Sequence, residues 1–233
     1  MSGRGAGSGR SGGRSLGGRQ RLKSRRGRTA SSARWLERQL NDPYVKRAQI
    51  EGWRARAAFK LIELDERFGL LAGAERVVDL GAAPGSWSQV VLKRRPKARV
   101  VGIDLLPVDP LPGLEVVEGD FLAEGADDDL LARLGGPADL VLSDMAANTV
   151  GHPQTDHLRT MALVEAAADF ATRVLKPGGA FVAKVLGGGA DGPLVAELKR
   201  HFESVRHAKP PASRKESSET YLVAQGFRGP PAP

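Results

Sequence analysis

Short apolar runs alternate with amphipathic stretches along most of the chain. Val77-Val78-Asp79-Leu80 is a β-branched run that ends in an acid and a small-residue turn, Gly81-Ala82-Ala83-Pro84-Gly85, and it predicts a buried strand breaking sharply before a helix that starts at Ser86. Similar runs predict strands over 98–104, 114–121, 139–145 and 180–186, the last interrupted by Lys184, and a closing pair over 204–207 and 219–224. Helical periodicity predicts a short turn at 31–38 ended by Asp42-Pro43, a helix from about Gly52 through Leu64, another over 129–134, and one over 193–202. A long helix over 154–175 is expected to stop at Lys176-Pro177-Gly178-Gly179. Strands alternating with helices give an α/β fold, Rossmann-like, with a mostly parallel doubly wound sheet. The final strands, with no helix between them, add one antiparallel strand near the C-terminus.

The turn after the first strand narrows the ligand. Gly81 and Gly85 let the backbone approach a bound group closely. A dinucleotide turn reads G-x-G-x-x-G, so that a pyrophosphate meets the helix N-terminus. Here the middle glycine is missing, Pro84 occupies the turn, and Asp79 opposes a pyrophosphate while suiting an amino-bearing ligand. S-adenosyl-L-methionine fits this pattern better than a nicotinamide cofactor, and a purely structural turn is the bland alternative.

Composition sharpens the picture in two places. No cysteine is present among the 233 residues, which excludes disulfide scaffolds, thiolate metal sites and a thiol nucleophile. The four histidines, His152, His157, His201 and His207, show no metal-ligand spacing, so no metal is expected. The net charge of +8 is concentrated at one end: residues 1–30 hold nine Arg or Lys and no acid, leaving 26 bases against 27 acids in the rest. The division expected is a disordered basic Gly/Arg/Ser tail (1–30), one domain (31–227) and a short Pro-rich tail (228–233). The basic tail reads either as a salt-sensitive grip on phosphates or as a solubilising extension. With no apolar run long enough for a membrane and no secretory signal, the expected location is cytoplasmic, and the expected state is a monomer.

In a parallel sheet the carboxyl ends of the strands share one rim, where ligands bind. Asp79, Asp104, Asp120 and Asp144 each fall at a predicted strand end, and Lys184 lies late in its strand. Singly, each acid reads as a turn-former. Together they read as a site, with Asp104 placed for ribose hydroxyls and Asp144 as the partner that a lysine in an apolar strand requires.

These residues carry a resemblance. The segments Arg54-Ala55-Arg56-Ala57-Ala58-Phe59-Lys60, 77–89, Asp104-Leu105-Leu106-Pro107, Gly119-Asp120-Phe121, Ser143-Asp144-Met145-Ala146, Val182-Ala183-Lys184-Val185 and Ser217-Ser218-Glu219-Thr220-Tyr221 resemble the FtsJ/RlmE family of RNA ribose 2′-O-methyltransferases. The resemblance spans nearly everything from Ser31 to Phe227. It implies that Lys60, Asp144, Lys184 and Glu219 carry catalysis and that Gly85, Trp87, Asp104, Asp120 and Asp144 contact S-adenosyl-L-methionine. Asp79 is counted among the cofactor residues, the Gly81 to Gly85 turn is expected under the methionine part, and Asp120 at the adenine amino group. The implied substrate is a uridine ribose in large-subunit ribosomal RNA, within the assembled or nearly assembled particle; transfer RNA and a non-catalytic role in ribosome assembly are the alternatives. Lys184 either takes the proton of the 2′-hydroxyl or, charged, stabilises the developing alkoxide, and both versions stay open. Arg54, Arg56, Lys209, Arg214 and Lys215 are expected to meet RNA phosphates.

Overall fold

The computed structural model describes residues 36–37, 39–147, 151–186 and 192–229. The basic tail, most of the predicted turn at 31–38, the glycine loop at 187–191 and residues 230–233 lie outside the described residues. The chain divides into two compact units, Met1–Lys46 and Arg47–Pro233. Described residues 36–37 and 39–41 are helical and stop at Asp42, as expected, and the same dipeptide also starts the next helix: the Asp42 carboxylate accepts the Tyr44 N–H at 3.0 Å, and Pro43 opens α1 (Pro43–Glu51). Proline suits a first helical turn, where its missing N–H has no partner to lose.

The second unit holds the sheet. After α1, Gly52 has φ +73° and breaks the chain, so the predicted helix from Gly52 begins only at α2 (Ala58–Phe68). Then follow β1 (Arg76–Leu80), α3 (Ser86–Arg94), β2 (Arg99–Asp104), β3 (Leu114–Glu118), α4 (Ala126–Leu134) and β4 (Ala138–Ser143). The chain continues with α5 (Pro153–Val174), β5 (Leu175–Val185), α6 (Gly192–His201), β6 (Phe202–Ala208) and β7 (Thr220–Phe227). The strand order is β3-β2-β1-β4-β5-β7-β6, and only β7 runs against its neighbours. The architecture matches the sequence expectation of a doubly wound sheet with one reversed strand.

Val77, Leu140, Val182 and Val223 point to the face covered by α2 and α3, whose Ala58, Leu61, Trp87 and Val91 they meet. Val78, Val101, Val141 and Phe181 point the other way, onto α4, α5 and α6. Both faces are covered, so the central strands read as nearly unbroken apolar runs. The long helix stops at Val174, just before Lys176-Pro177-Gly178-Gly179, as expected, but the strand begins earlier than Ala180: Leu175 already pairs with Ala138, and a register irregularity between Ala138 and Leu140 absorbs the glycines into β5. No described helix is long and apolar enough to cross a membrane.

Candidate active site

The order of strands places a reversal beside β1, whose neighbours β2 and β4 leave in opposite directions across the sheet. Ligands of doubly wound folds sit above such a point. Register shows which side chains reach it. Leu80 pairs with Ile103 and with Ser143, and Ser143 pairs with Ala183. The next residue on each strand is therefore Gly81, Asp104, Asp144 and Lys184, one row along the rim. Lys184 in turn pairs with Tyr221 across the antiparallel ladder, which puts both side chains on the α2/α3 face.

Lys60, on the first turn of α2, comes up beneath that row. Its Nζ lies 2.8 Å from Glu219 Oε2 and 4.0 Å from Asp144 Oδ2. Lys184 Nζ lies 3.3 Å from Asp144 Oδ1 and also donates to the Asp144 carbonyl. The four side chains are 10–18% exposed, so two ammoniums and two carboxylates alternate at a half-enclosed rim. Burial alone would raise the Asp144 carboxyl, but Lys184, Lys60 and the Tyr221 hydroxyl outweigh it and hold the group below its ordinary range.

Two supporting residues escaped the sequence reading. Tyr221 Oη donates to Asp144 Oδ1 at 2.8 Å, its ring packs on Trp87 with centroids 5.6 Å apart, and Lys60 Nζ lies 5.7 Å over its face. Burial, together with the Asp144 and Glu219 carboxylates, pushes the Tyr221 phenol well above its ordinary value, so it stays a donor. Ser213 Oγ donates to Glu219 Oε1 at 2.8 Å. The available signal was spacing: Tyr221 stands two residues after Glu219, on the same side of an extended segment.

A cleft of about 330 Å³ opens beside the row, with Gly81, Asp104, Asp120, Phe121, Asp144 and Met145 in its wall. Leu105 and Leu106, each 64% exposed, stand at its edge. Asp104 already receives the N–H of Ala83 at 2.8 Å and of Leu106 at 2.9 Å, while Asp120 receives that of Leu122 at 2.9 Å. Gly81 carries φ +77°, and a side chain there would meet Met145 at 2.9 Å, so the first loop of the cleft and the one after β4 touch through a glycine.

Three sequence-predicted cofactor residues do not line this wall. Trp87 is buried, its indole donating to the Ala57 carbonyl at 2.9 Å. Gly85, at φ +91°, accommodates Arg54 rather than opening onto the cleft. Asp79 sits two residues below the row, about 7 Å deeper along β1. There it accepts the Ser88 N–H at 3.0 Å and the Ser88 hydroxyl at 2.6 Å on one oxygen, while Oδ1 has no hydrogen-bond partner. Burial pushes its carboxyl up to about 7, with Ser88 opposing and the Asp144 and Asp104 carboxylates adding to the rise.

Several basic residues expected on RNA instead brace the loops. Arg54 donates to the carbonyls of Pro84 at 3.0 Å, Asp109 at 2.8 Å and Pro110 at 2.7 Å, tying the glycine turn to the loop after β2. Arg56 donates to the Ala212 carbonyl, and Lys209 to that of Ser217 at 2.6 Å, holding the segment that leads to Glu219. Lys215 is exposed. Among the described residues, no cluster of three or more His, Asp or Glu is arranged to hold a metal ion.

The chain is similar to known proteins over most of its length. A family model described as FtsJ-like methyltransferase matches residues 53–227. A protein of Novosphingobium aromaticivorans named Ribosomal RNA large subunit methyltransferase E is 68% identical over 212 residues, covering 91% of this chain and 96% of its own. One of the same name from Sphingopyxis alaskensis is 65% identical over 224 residues, with 96% and 97% covered. A crystal structure described as a ribosomal RNA methyltransferase from Plasmodium falciparum superposes with a TM-score of 0.68 at 32% identity, covering 76% of this chain and 100% of that one.

Proposed function

The chain belongs to the FtsJ-like methyltransferase family, and from that premise we propose that it methylates the ribose 2′-hydroxyl of a uridine in large-subunit (23S) ribosomal RNA, on the assembled 50S subunit, with S-adenosyl-L-methionine as donor. The observation that carries this reading is the position of Asp144: it belongs at once to the wall of the cleft and to the Lys60, Lys184 and Glu219 cluster. A donor in the cleft and an acceptor over the lysines would meet at that residue.

The cleft suits an adenosine-bearing ligand. Asp104 and Asp120 offer carboxylates to ribose hydroxyls and an amino group, with apolar surface from Leu105, Leu106 and Phe121 for a base. The Gly81 to Gly85 turn and the first N–H groups of α3 would border the methionine part, Trp87 through its backbone rather than its buried ring. When bound, S-adenosyl-L-methionine supplies an electrophilic methyl group on a positively charged sulfur.

The chain's own residues do the rest. Asp144 and its carbonyl hold the Lys184 amine at the rim, pointing one end of the side chain at the place a ribose would occupy. There Lys184 orients the 2′-hydroxyl, and it either accepts the proton as the oxygen–carbon bond forms or, charged, stabilises the oxygen as that proton leaves. Lys60, clamped by Glu219, sets its charge 4.0 Å from the second Asp144 oxygen, while the Tyr221 hydroxyl holds the first. One copy supplies all four groups, in keeping with a monomer acting in the cytoplasm through residues 31–227.

Incubation with labelled S-adenosyl-L-methionine and, separately, large subunits, naked 23S RNA or transfer RNA tests the assignment. Label is expected on the subunit at one uridine whose 3′ linkage resists alkaline cleavage; label on transfer RNA alone would overturn it.

A further inference from the structure

A second cavity, of about 550 Å³, lies on the opposite edge of the sheet from the reaction site. Its wall contains Arg76, Arg94, Arg95, Lys97 and Arg99, against one acid, Glu75. Arg76 and Arg99 are the first residues of β1 and β2 and pair in register; Arg94 ends α3, and Arg95 and Lys97 follow it. Basic residues at a helix C-terminus complement its dipole, which accounts for Arg94 but not for Arg76, Lys97 or Arg99.

Only part of this charge is consumed internally. Arg94 pairs with Asp65 and, at 3.6 Å, with Glu66, and Arg99 pairs with Glu115 at 3.6 Å. The Arg99 and Glu115 side chains are 54% and 43% exposed, and exposed pairs of this kind exchange readily for another anion. Arg95 gives its Nε to the Ala74 carbonyl, and the Arg76 guanidinium lies against Gly136. Among the described residues Arg76, Arg95 and Lys97 have no carboxylate partner.

We propose that this cavity binds the phosphate backbone of a second segment of the substrate RNA. The five residues of β1, at about 3.3 Å each, separate it from the Lys184 row by roughly 16 Å. That exceeds the reach of the phosphates on either side of the reacting ribose, so the contact needs RNA folded back around the protein. Such a contact positions without reading sequence. It rests on the ribosomal RNA reading above and makes the shape of the folded RNA part of how the enzyme recognises its substrate.

Lys97→Glu and the double variant Arg76→Gln with Lys97→Glu test it. With large subunits as substrate, KM is expected to rise on the order of three- to tenfold, and the salt dependence of binding to lose a slope of about one per cation removed. The turnover number and the KM for S-adenosyl-L-methionine should stay at wild-type values, Lys97→Arg should behave as wild type, and Glu75→Gln should lower KM. Unchanged KM and unchanged salt slope in variants with wild-type melting temperature would overturn the proposal. Should the wild-type protein fail to methylate large subunits, it is the function reading that fails. Gel retardation of folded 23S RNA fragments then still reports on this cavity, and equal retardation by wild type and variants refutes it.

Discussion

Asp79 is the buried acid whose replacement is most informative, because its two protonation states differ so much in cost. Its carboxyl is held at about 7 against an ordinary 3.8, chiefly by burial, with one oxygen on Ser88 and the other without a partner. The folded protein therefore keeps this proton over a range in which the unfolded chain has lost it. Since the folded value is the higher one, stability is greatest below pH 3.8, falls as pH rises toward 7, and levels off above that. Between pH 4.5 and 8 the loss amounts to roughly 3 kcal/mol at 1.36 kcal/mol per pH unit. Asp79→Asn cannot ionise and keeps an oxygen for Ser88. Its melting temperature relative to wild type should rise by several degrees between pH 4.5 and pH 8, as about 1 kcal/mol shifts a domain of this size by about 2–4 °C. Differential scanning calorimetry of both proteins at the two pH values measures this, and comparing differences removes whatever the Ser88 contacts contribute. A gap that is the same at both pH values, or that narrows toward pH 8, would refute the reasoning. If the carboxylate also serves the donor's amino group, the variant gains stability and loses donor affinity together, as expected where a binding residue is kept at a cost to folding.

Lys184→Ala should lower methyl transfer at least a hundredfold while leaving donor binding by calorimetry intact; undiminished transfer would remove Lys184 from the reaction in both its charged and neutral versions. Gly81→Ala forces a side chain into Met145 at φ +77° and should cost about 1–3 kcal/mol in thermal unfolding, with a matching rise in donor KM. Arg54→Ala unties three carbonyls that hold the loop bearing Leu105 and Leu106, so it should raise the KM for S-adenosyl-L-methionine several-fold with little change in that for RNA. An effect confined to RNA binding would return Arg54 to the phosphate contacts.

Much of the fold was legible because the apolar runs are short, β-branched and spaced by turn residues, and because a covered sheet demands such runs on every central strand. Legibility failed where one residue type serves opposite ends of an element. Asp42-Pro43 reads as a stop and is one, but it is also a capped start, which only the Tyr44 N–H on the Asp42 carboxylate reveals. Lys176-Pro177-Gly178-Gly179 marks the end of the long helix correctly, yet pairing with β4 begins at Leu175 rather than Ala180, a tertiary event that no local pattern records. In the site, the strand-end acids were legible as a group but not by height. Asp104, Asp144 and Lys184 share a row, whereas Asp79, on the same face, lies one full side-chain repeat lower and so enters the core. Cross-strand register sets that difference, and a single sequence does not contain it. For the same reason Arg54 and Arg56 looked like phosphate ligands: their partners are carbonyls 30 to 156 residues away.

Inserting β7 between β5 and β6 has a consequence for biosynthesis. The strand that delivers Tyr221, just after Glu219, is made after β6, which precedes it in the chain while lying outside it in the sheet. During translation the donor cleft can take shape from earlier segments, but Lys60 and Asp144 lack their last partners until that strand slots into the gap. On the proposed assignment of the four-residue cluster, a nascent chain stays silent until β7 has closed the sheet, however early its cleft forms.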